Sequence, residues 1–594
     1  MSAANRRHPP SGAEHPLRSA GWFAPRDVFG FIHRAALRSE GLSSAATEGR
    51  PIVGICSAWS ELVNCNVHLR GLAEAVKRGV WQAGGVPLEF PSMSLSETLT
   101  KPTTMLYRNL AAIEVEETIR SSPLDAVVLL AGCDKTVPAQ LMGAASADVP
   151  AIMLTGGPRQ AAYFRGRRVG AGTDLWRYTE ELRAGRMTDA EYAQLEEASS
   201  PSVGHCSEMG TASTMASLVE ALGMSLHGAA TAPAVGARRV ALAERTGARA
   251  VDLARGGPAP SDVLSPAAFH NALTTLAALG GSTNAILHLL ALARRVGVDL
   301  PLERFDEVAA TTPILVDVQP VGSGLYEDLD RAGGVPALLA RLGPLLELDA
   351  ITVDGRTIGE RTRDAEIHDA EVVRPLDAPL APAGGLAVLR GSLAPDGAVI
   401  KAGAMAPQLR RHRGPALVFD DIHDLLARID DPDLDVEPET VMVLRNCGPR
   451  GGAGMPEWGM LPIPRKLLER GVTDMVRISD ARMSGTGFGA VVLHVAPESA
   501  AGGPLAAVRD GDQIELDVDA RRIDLLVPAE ELSARLASLA QRPPAYRRGY
   551  GRLHAEHVLQ ADEGADLAGF ERDPEEPRGP TDPPGLLEGW ISGW

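Results

Sequence analysis

The stretch LLAGCDKTVPAQLMGAA, residues 129–145, passes from an apolar run to a helix-like segment through a cysteine, an aspartate and a lysine. The apolar run predicts a buried strand. Ligands of open α/β sheets usually bind at the carboxyl ends of the strands. A soft sulfur ligand, a hard oxygen ligand and an amine would therefore meet at one strand end. From these residues alone, the stretch is either an ordinary strand end or half of a metal site.

Strand-like and helix-like segments alternate around this stretch, from residue 51 to residue 300. β-rich runs such as PIVGICSAW and VPLEF are each followed by a segment with helical spacing, such as residues 67–83 and 106–119. This alternation predicts an open, mostly parallel α/β sheet, which we assign to a domain over residues 25–380. A polar, charged excursion at residues 163–202 interrupts the pattern, and we expect it near the mouth of a site. Beyond it we predict helices, one that begins near residue 208 and others that include residues 267–297, with a break at Gly280 and Gly281.

The second half of the chain has a different pattern. A stretch rich in Pro and Asp, residues 368–385, is followed by short β runs that Gly, Pro and Asp turns separate. This pattern predicts a β-barrel-like domain with flanking helices over residues 381–570, so the fold class is α/β with a barrel-like second domain. Residues 1–24 are expected to be a flexible arm, and residues 571–594 a proline-rich tail.

Charge and hydropathy exclude several classes of protein. The formal net charge is −18, and no basic block interleaved with aromatic residues occurs, which argues against a nucleic-acid partner. The sequence has no apolar run of the roughly 18 residues that a membrane helix needs, and its basic N-terminus lacks the apolar segment of a secretory signal. We expect a cytoplasmic protein without a membrane partner.

The five cysteines do not form the framework of a secreted disulfide protein, because their number is odd and they are spread along the chain: Cys56, Cys65, Cys133, Cys206 and Cys447. Cys65, Cys133 and Cys206 lie at the ends of predicted elements. They are 68 and 73 positions apart, too far for a zinc finger or a compact ferredoxin loop. Three such thiolates would suit zinc, or an iron–sulfur cluster with one open iron position.

Several longer motifs occur together in one order: CNVHL, GCDKTVPAQLMGAAS, MGTASTM, GGSTNAILHL and DARMSGTGFGAVVLHVAPE. In this combination they resemble the dihydroxy-acid and sugar-acid dehydratase family, which includes phosphogluconate dehydratase, and the resemblance covers residues 25–570. GICSAWSELVNCNVH, EFPSMSLSET and HVLQADEGADL are more similar to the sugar-acid branch, that of L-arabinonate and D-xylonate dehydratases. The resemblance implies a hydro-lyase that converts a 2,3-dihydroxy sugar acid into a 2-keto-3-deoxy acid.

The resemblance also implies two cofactors and their ligands. Cys65, Cys133 and Cys206 match the ligands of a [2Fe–2S] cluster. Glu97, Asp134, Glu457 and Lys135 match the ligands of a Mg²⁺ ion, and the lysine is carbamylated in relatives. A carbamate would turn this amine into the oxygen donor that Mg²⁺ requires. Cys56 and Cys447 match no ligand and are expected to be buried apolar residues.

Structural alternatives exist for each metal ligand. Asp134 could cap the following helix, or it could form a solvated pair with Lys135. Glu97 could be an early helical residue favoured by the helix dipole. For Glu457 a role at a helix terminus is not expected, because it follows a proline in a glycine-rich loop and no predicted helix adjoins it.

Two further residues are candidates for catalysis. Ser484 matches the base that removes the C2 proton, and the glycine-rich turn after it could direct backbone N–H groups at its oxygen. Its structural alternative is a helix N-cap. His557 matches a histidine that reaches the site from a neighbouring subunit in relatives, which implies a homodimer or homotetramer. His68, beside Cys65, is a weaker candidate that would act through the cluster ligands.

Three other functions compete with aldonate dehydration. The nearest is the dihydroxy-acid dehydratase of branched-chain amino-acid synthesis, which shares the metals and the base but needs an apolar pocket beyond C3. A nucleotide-binding oxidoreductase is disfavoured, because no G-x-G-x-x-G motif follows a first strand. A non-catalytic scaffold stabilised by a metal is the third alternative.

Overall fold

The computed structural model describes residues 17–46, 48–540, 545–573 and 575. Residues 1–16 of the predicted arm and most of the predicted tail lie outside this range. Residues 17–24 of the arm are packed against the domain: they contain a short helix, and the backbone N and Oγ of the buried Ser19 donate to the carboxylate of Asp125 at 2.8 and 2.7 Å. This contact anchors the start of the described chain at the beginning of a central strand.

The first sheet has four strands in the order β2-β1-β3-β4, and all of its strand pairs are parallel. Three of the four strands are buried along their whole length, as expected for a parallel sheet that is covered on both faces. The elements up to this point are α1 (Ala20–Phe23), α2 (Val28–Ser39), β1 (Ile52–Ser57), α3 (Leu69–Gln82), β2 (Val86–Pro91), α4 (Thr104–Ser121), β3 (Ala126–Ala131), α5 (Thr136–Ala147) and β4 (Ala151–Thr155).

The predicted alternation of strands and helices is confirmed as far as Thr155, and beyond it the four-stranded sheet gains no further strand among the described residues. A hairpin follows, and the chain is then helical up to residue 362, with α8, α11 and α12 buried. These elements are β5 (Ala162–Phe164), β6 (Arg167–Val169), α6 (Thr173–Arg183), α7 (Asp189–Ala198), α8 (Thr211–Ala221), α9 (Ala237–Ala254), α10 (Pro260–Val263), α11 (Pro266–Ala278), α12 (Asn284–Val296), α13 (Glu303–Thr311), α14 (Tyr326–Arg331), α15 (Gly334–Leu342) and α16 (Ile358–Thr362).

The second sheet has eight strands in the order β14-β13-β9-β10-β11-β12-β8-β7, with a parallel centre and antiparallel flanks. The N–H of Arg390 donates to Arg521 O, and the N–H of Ile523 donates to Arg390 O, both at 3.0 Å. These bonds join the end of β7 to β14 and nearly close the sheet, so the barrel-like prediction is confirmed. The strands and helices are β7 (Ala387–Leu389), β8 (Gly397–Ile400), β9 (Arg411–Phe419), α17 (Ile422–Arg428), β10 (Val441–Leu444), α18 (Arg465–Glu469), β11 (Arg477–Ser479), β12 (Val491–Ala496), β13 (Gln513–Asp517), β14 (Arg522–Leu525), α19 (Ala529–Ala537) and α20 (Gly549–His557).

Within the described residues, no helix combines the length and the apolar character needed to cross a membrane.

Candidate active site

The turn between β3 and α5 has an unusual backbone. Cys133 has a φ of 65°, in the left-handed region that few residues other than glycine adopt. Such strain persists where the surrounding structure holds it, and it is concentrated at functional sites. Lys135 is the N-cap residue of α5 and makes no side-chain capping bond, so the alternative role of Asp134 as a helix cap is wrong.

Three carboxylates converge beside this turn. Oxygen atoms of Glu97, Asp134 and Glu457 all lie within 4.8 Å of one another. The Nζ atom of Lys135 lies among them, 2.6 Å from Asp134, 3.3 Å from Glu97 and 3.5 Å from Glu457. Lys135 is fully buried, so it does not form a solvated surface pair. Glu97 lies in the loop before α4 and not in a helix, so its alternative assignment is also wrong.

The charges in this cluster depend on one another. Burial and Arg482 would lower the pKa of Lys135, but the three carboxylates raise it above its usual value. Burial would raise the pKa of Glu97, but Lys135 and Arg482 lower it to about 2. Burial and the nearby charge of Glu97 raise the pKa of Glu457. The cluster therefore combines carboxylates that need a cation with an ammonium group that supplies only part of the charge.

Two residues of the cluster were not assigned a role from the sequence. Arg482 is fully buried, and it donates through Nη1 to Glu457 at 2.9 Å and through Nη2 to Thr103 at 3.0 Å. Asn284 donates through Nδ2 to Glu457 at 2.9 Å and to the backbone O of Met483 at 3.1 Å. Both lie inside the quoted motifs. A polar residue next to apolar neighbours was the only local feature of the sequence that could have indicated their role.

The three predicted cluster cysteines lie close to this site. The side chains of Cys65 and Cys133 are in contact and buried, and the bond with Cys65, together with burial, raises the pKa of Cys133 well above its usual value. Burial raises the pKa of Cys206 to about 12, although the charge of Arg159, whose Nη2 lies 3.8 Å from the sulfur, acts in the opposite direction. The charges of Glu208, Cys65 and Asp134 also raise the pKa of Cys206.

The two other cysteines are buried, as predicted. Cys56 lies in β1 and Cys447 follows β10, and neither side chain is exposed. Burial raises the pKa of Cys56 to about 12, which keeps its thiol protonated and unreactive.

Ser484 lies in the loop between β11 and β12. Its Oγ is 2.9 Å from Oγ1 of Thr486 and receives a longer bond, 3.4 Å, from the backbone N–H of Thr486. The loop continues into β12 and not into a helix, so the N-cap alternative is wrong. A Cβ on Gly485 would lie 2.5 Å from the backbone N of Thr211, which shows how closely this loop packs against the N-terminus of α8.

The polar excursion at residues 163–202 contacts the same loop. Thr173 donates through Oγ1 to the backbone O of Thr486 at 3.0 Å, and the indole N–H of Trp176 donates to Oγ1 of Thr486 at 3.3 Å. The carboxylate of the fully buried Glu208 accepts from the backbone N–H groups of Gly172 and Thr173, the latter at 3.0 Å, and so fixes the start of α6. The excursion therefore borders Ser484.

The two histidine candidates lie in different surroundings. His68 donates through Nε2–H to the backbone O of Gly156 at 2.8 Å, and burial lowers its pKa. His557 ends α20 with an exposed side chain, and no contact joins it to the acidic cluster among the described residues. Within one chain, the structure does not bring His557 to the site.

Comparison with known proteins agrees with this arrangement. Residues 50–361 match the N-terminal domain of the dihydroxy-acid/6-phosphogluconate dehydratases, and residues 371–565 match their C-terminal domain. The chain belongs to this dehydratase family. The division between the two matched regions falls where the sequence changes from the helical half to the barrel-like half.

Relatives in the dehydratase family align with nearly the whole chain. The L-arabinonate dehydratase of Rhizobium leguminosarum bv. trifolii is 50% identical over 93% of this chain and 96% of its own length. The 6-deoxy-6-sulfo-D-gluconate dehydratase of Pseudomonas putida is 47% identical over 93% of this chain and 96% of its own. The dihydroxy-acid dehydratase of Ignicoccus hospitalis is 43% identical over 90% of this chain and 97% of its own length. The predicted resemblance to the sugar-acid branch is confirmed.

Proposed function

We propose that the protein is an aldonate dehydratase, which removes water from a 2,3-dihydroxy sugar acid and releases a 2-keto-3-deoxy acid. One observation carries the proposal: Arg482 donates to Glu457 at 2.9 Å, and Ser484 follows two residues later. A hydroxyl that can accept a proton is thereby fixed beside a cluster of carboxylates. The similarity to sugar-acid dehydratases supports the choice of substrate class.

The donor set of the acidic cluster fits Mg²⁺. Glu97, Asp134 and Glu457 supply the carboxylate oxygens that this ion prefers, and their mutual separation within 4.8 Å suits a single cation. As an ammonium group, Lys135 would repel a divalent cation from this position. We therefore propose that Lys135 is carbamylated in the active protein, which replaces its positive charge with an oxygen donor.

The cysteines fit an iron–sulfur cluster with three protein ligands. Cys65, Cys133 and Cys206 are free thiols, and the pKa of Cys133 and Cys206 is raised in the absence of a metal, so a bound metal or cation would be needed to hold them as thiolates. Arg159 supplies part of that positive charge at Cys206. We propose a [2Fe–2S] cluster in which these cysteines fill three of the four protein-ligand positions, so that one of the two irons keeps an open coordination position.

When bound, the Mg²⁺ ion would stabilise negative charge on the substrate carboxylate and C2 hydroxyl, and the open iron would polarise the C3 hydroxyl. The alkoxide form of Ser484 takes the proton from C2. The C3–O bond breaks as the C2–C3 double bond forms, and the C3 hydroxyl leaves as water with the proton that Ser484 took from C2, which returns the serine to its alkoxide form. The resulting enol tautomerises to the 2-keto acid when the proton of its C2 hydroxyl is replaced by one at C3, and the reaction needs no oxidant or reductant.

The surroundings of Ser484 suit this role. Thr486 places two donors, its hydroxyl and its backbone N–H, next to Ser484 Oγ at 2.9 and 3.4 Å. The packed N-terminus of α8 adds the positive end of a helix dipole. Both features favour an oxyanion at Ser484, as oxyanion stabilisation by fixed donors does in other enzymes.

Polar groups that border the serine loop support a sugar acid as the substrate. Thr173 and Trp176 of α6 present polar atoms to Thr486, and Arg177 lies over Phe488 of the same loop at 5.5 Å. Such groups can bind the hydroxyls of a sugar acid. A branched-chain dihydroxy acid, the second candidate substrate, would favour an apolar surface there.

The exposed position of His557 suits a contribution to a neighbouring subunit. We propose a homodimer or homotetramer in which His557 approaches the distal end of the substrate in the adjacent site. The change H557A should then lower activity and raise KM without loss of metals, while H412A, which removes a surface histidine of the barrel-like domain, should do neither. Equal activity and equal KM in H557A and H412A would contradict the role of His557 in a neighbouring site.

The cofactor assignments are tested on protein purified without oxygen. We expect about two irons and two sulfides per chain and visible absorbance that makes the protein brown. Chelation of Mg²⁺ should abolish the activity, and added Mg²⁺ should restore it. Colourless protein that contains zinc would contradict the cluster and would favour the scaffold alternative.

A further inference from the structure

Lys401 is a fully buried lysine that the proposed reaction does not use. It follows the last residue of β8 and is 1% exposed. Its Nζ atom donates to the backbone O of Gly485 at 3.0 Å. Throughout the part of the chain that the structure describes, no carboxylate lies within salt-bridge distance of this nitrogen.

This position is costly for a lysine. A buried amine without a carboxylate partner loses its hydration and gains no ion pair in return. Burial accordingly lowers the pKa of Lys401 to about 7. A methionine or leucine would fill the same volume without this cost, and costly buried polar groups are concentrated at functional sites.

The single partner of Lys401 lies at the centre of the serine loop. Gly485 separates Ser484 from Thr486, and its carbonyl belongs to the peptide whose N–H is donated by Thr486 to Ser484 Oγ. A hydrogen bond to the O atom of a peptide polarises the N–H of the same peptide, because hydrogen bonds in a chain strengthen one another. The bond from Lys401 also fixes the plane of this peptide.

We propose that Lys401 is a positioning residue for Ser484: by holding the Gly485 carbonyl, it orients and polarises the Thr486 N–H that faces the serine oxygen. The proposal rests on the proposed function, because it matters for catalysis only if Ser484 is the base. Lys401 touches neither the carboxylates nor the cysteines in the described structure, so its effect is on the proton transfer and not on metal binding.

The test compares two lysine variants of the anaerobically purified, metal-loaded protein. K401M removes the donor, and we expect kcat to fall by roughly 10- to 100-fold, less than for the loss of a direct oxyanion donor, with KM changed by less than about threefold. K466M is the matched control, because Lys466 also donates to backbone oxygens of the second half, at Leu434 and Pro432, away from Ser484. It should leave kcat unchanged.

A second variant covers the case in which K401M does not fold with its metals. K401R keeps a positively charged donor, and we expect it to retain a larger fraction of kcat than K401M. Wild-type kcat in K401M with an intact visible spectrum would overturn the proposal. A parallel loss of kcat, visible absorbance and folded protein in both variants would also overturn it, because that result indicates a structural role alone.

A double-mutant cycle separates this proposal from the proposed function. If Lys401 acts through Ser484, K401M should have no further effect on the residual rate of S484A. If K401M lowers kcat by the same factor in the wild-type protein and in S484A, the proposal for Lys401 is overturned, while Ser484 remains the base. Full activity of S484A would instead remove the base assignment, and with it the role of Lys401.

Discussion

The Nζ atom of Lys135, in the first half of the chain, lies 3.5 Å from Oε1 of Glu457, in the second half. The two residues belong to the two separately matched regions of the family. The acidic cluster therefore brings together residues of the two matched regions. Occupation of the site by a cation should strengthen the contact between the two halves.

Replacement of Ser484 by alanine should abolish turnover while leaving the protein folded. General-base groups contribute roughly 10²- to 10⁴-fold to rates, so we expect a loss of at least about 10²-fold. S538A, which removes an exposed serine hydroxyl at the end of α19, is the control. Visible spectra and metal contents should match in both variants, and substantial activity in S484A would refute its role as the base.

Replacement of Arg482 by methionine should lower both stability and activity. Arg482 is fully buried against Glu457, and removing one partner of a buried ion pair costs about 3–5 kcal/mol. It also releases the segment that carries Ser484. R295M is the matched control, because Arg295 is equally buried, with Asp566 at 2.9 Å.

Thermal melts and anaerobic assays separate the two arginine variants. Both should have a lower melting temperature, but only R482M should have a kcat per folded protein at least about tenfold below that of the wild type, the loss typical of a displaced catalytic group. Equal kcat values for R482M and R295M would contradict the link between Arg482 and Ser484.

Replacement of Gly172 by alanine should disturb the contact between the excursion and the serine loop. A Cβ at this position would lie 2.5 Å from Oγ1 and Cγ2 of Thr486, so either α6 or Thr486 must move. We expect kcat to fall by about tenfold or more, because displacements of about 1 Å near reacting groups are costly. G71A, in α3, meets no atom within 4 Å and should have wild-type kinetics. Unchanged kinetics in G172A would exclude the excursion from the site.

Replacement of Lys401 by methionine should change the pH dependence of stability. Burial lowers the pKa of Lys401 from 10.5 to about 7 in the folded protein. Between these two pH values the unfolded chain binds a proton that the folded chain does not. The destabilisation caused by the buried lysine is therefore complete below pH 7 and disappears above pH 10.5. The stabilisation by K401M should therefore be smaller by about 3 kcal/mol at pH 9.5 than at pH 7. If the free energy of unfolding of K401M differs from that of the wild type by the same amount at both pH values, the burial of an amine without a carboxylate partner is contradicted.

Local features of the sequence predicted part of the fold. The run LLAGCDK specified a strand end with adjacent ligands, because a buried parallel strand and a following helix are local features of the sequence. The sequence did not show where the sheet ends, because a short apolar run does not by itself distinguish a buried strand from a buried helix.

The contacts of Arg482, Asn284 and Lys401 could not be predicted from the sequence. Each depends on partners that are far away in the chain: Arg482 on Glu97 and Thr103, Asn284 on Glu457, and Lys401 on Gly485. A buried charged residue has the same local sequence whether its partner is a metal ligand or a backbone carbonyl. Only the packing of the two halves reveals which role it has.

The most direct test of the proposed function is an anaerobic assay with Mg²⁺ that measures 2-keto-3-deoxy acid formation from pentonates, hexonates and the branched-chain dihydroxy acid, with S484A assayed in parallel. We predict turnover of at least one aldonate by the wild-type protein and a rate at least about 10²-fold lower for S484A. Turnover of the branched-chain acid alone would contradict the aldonate assignment, and no turnover of any substrate by protein with a reconstituted cluster would contradict dehydration at this site.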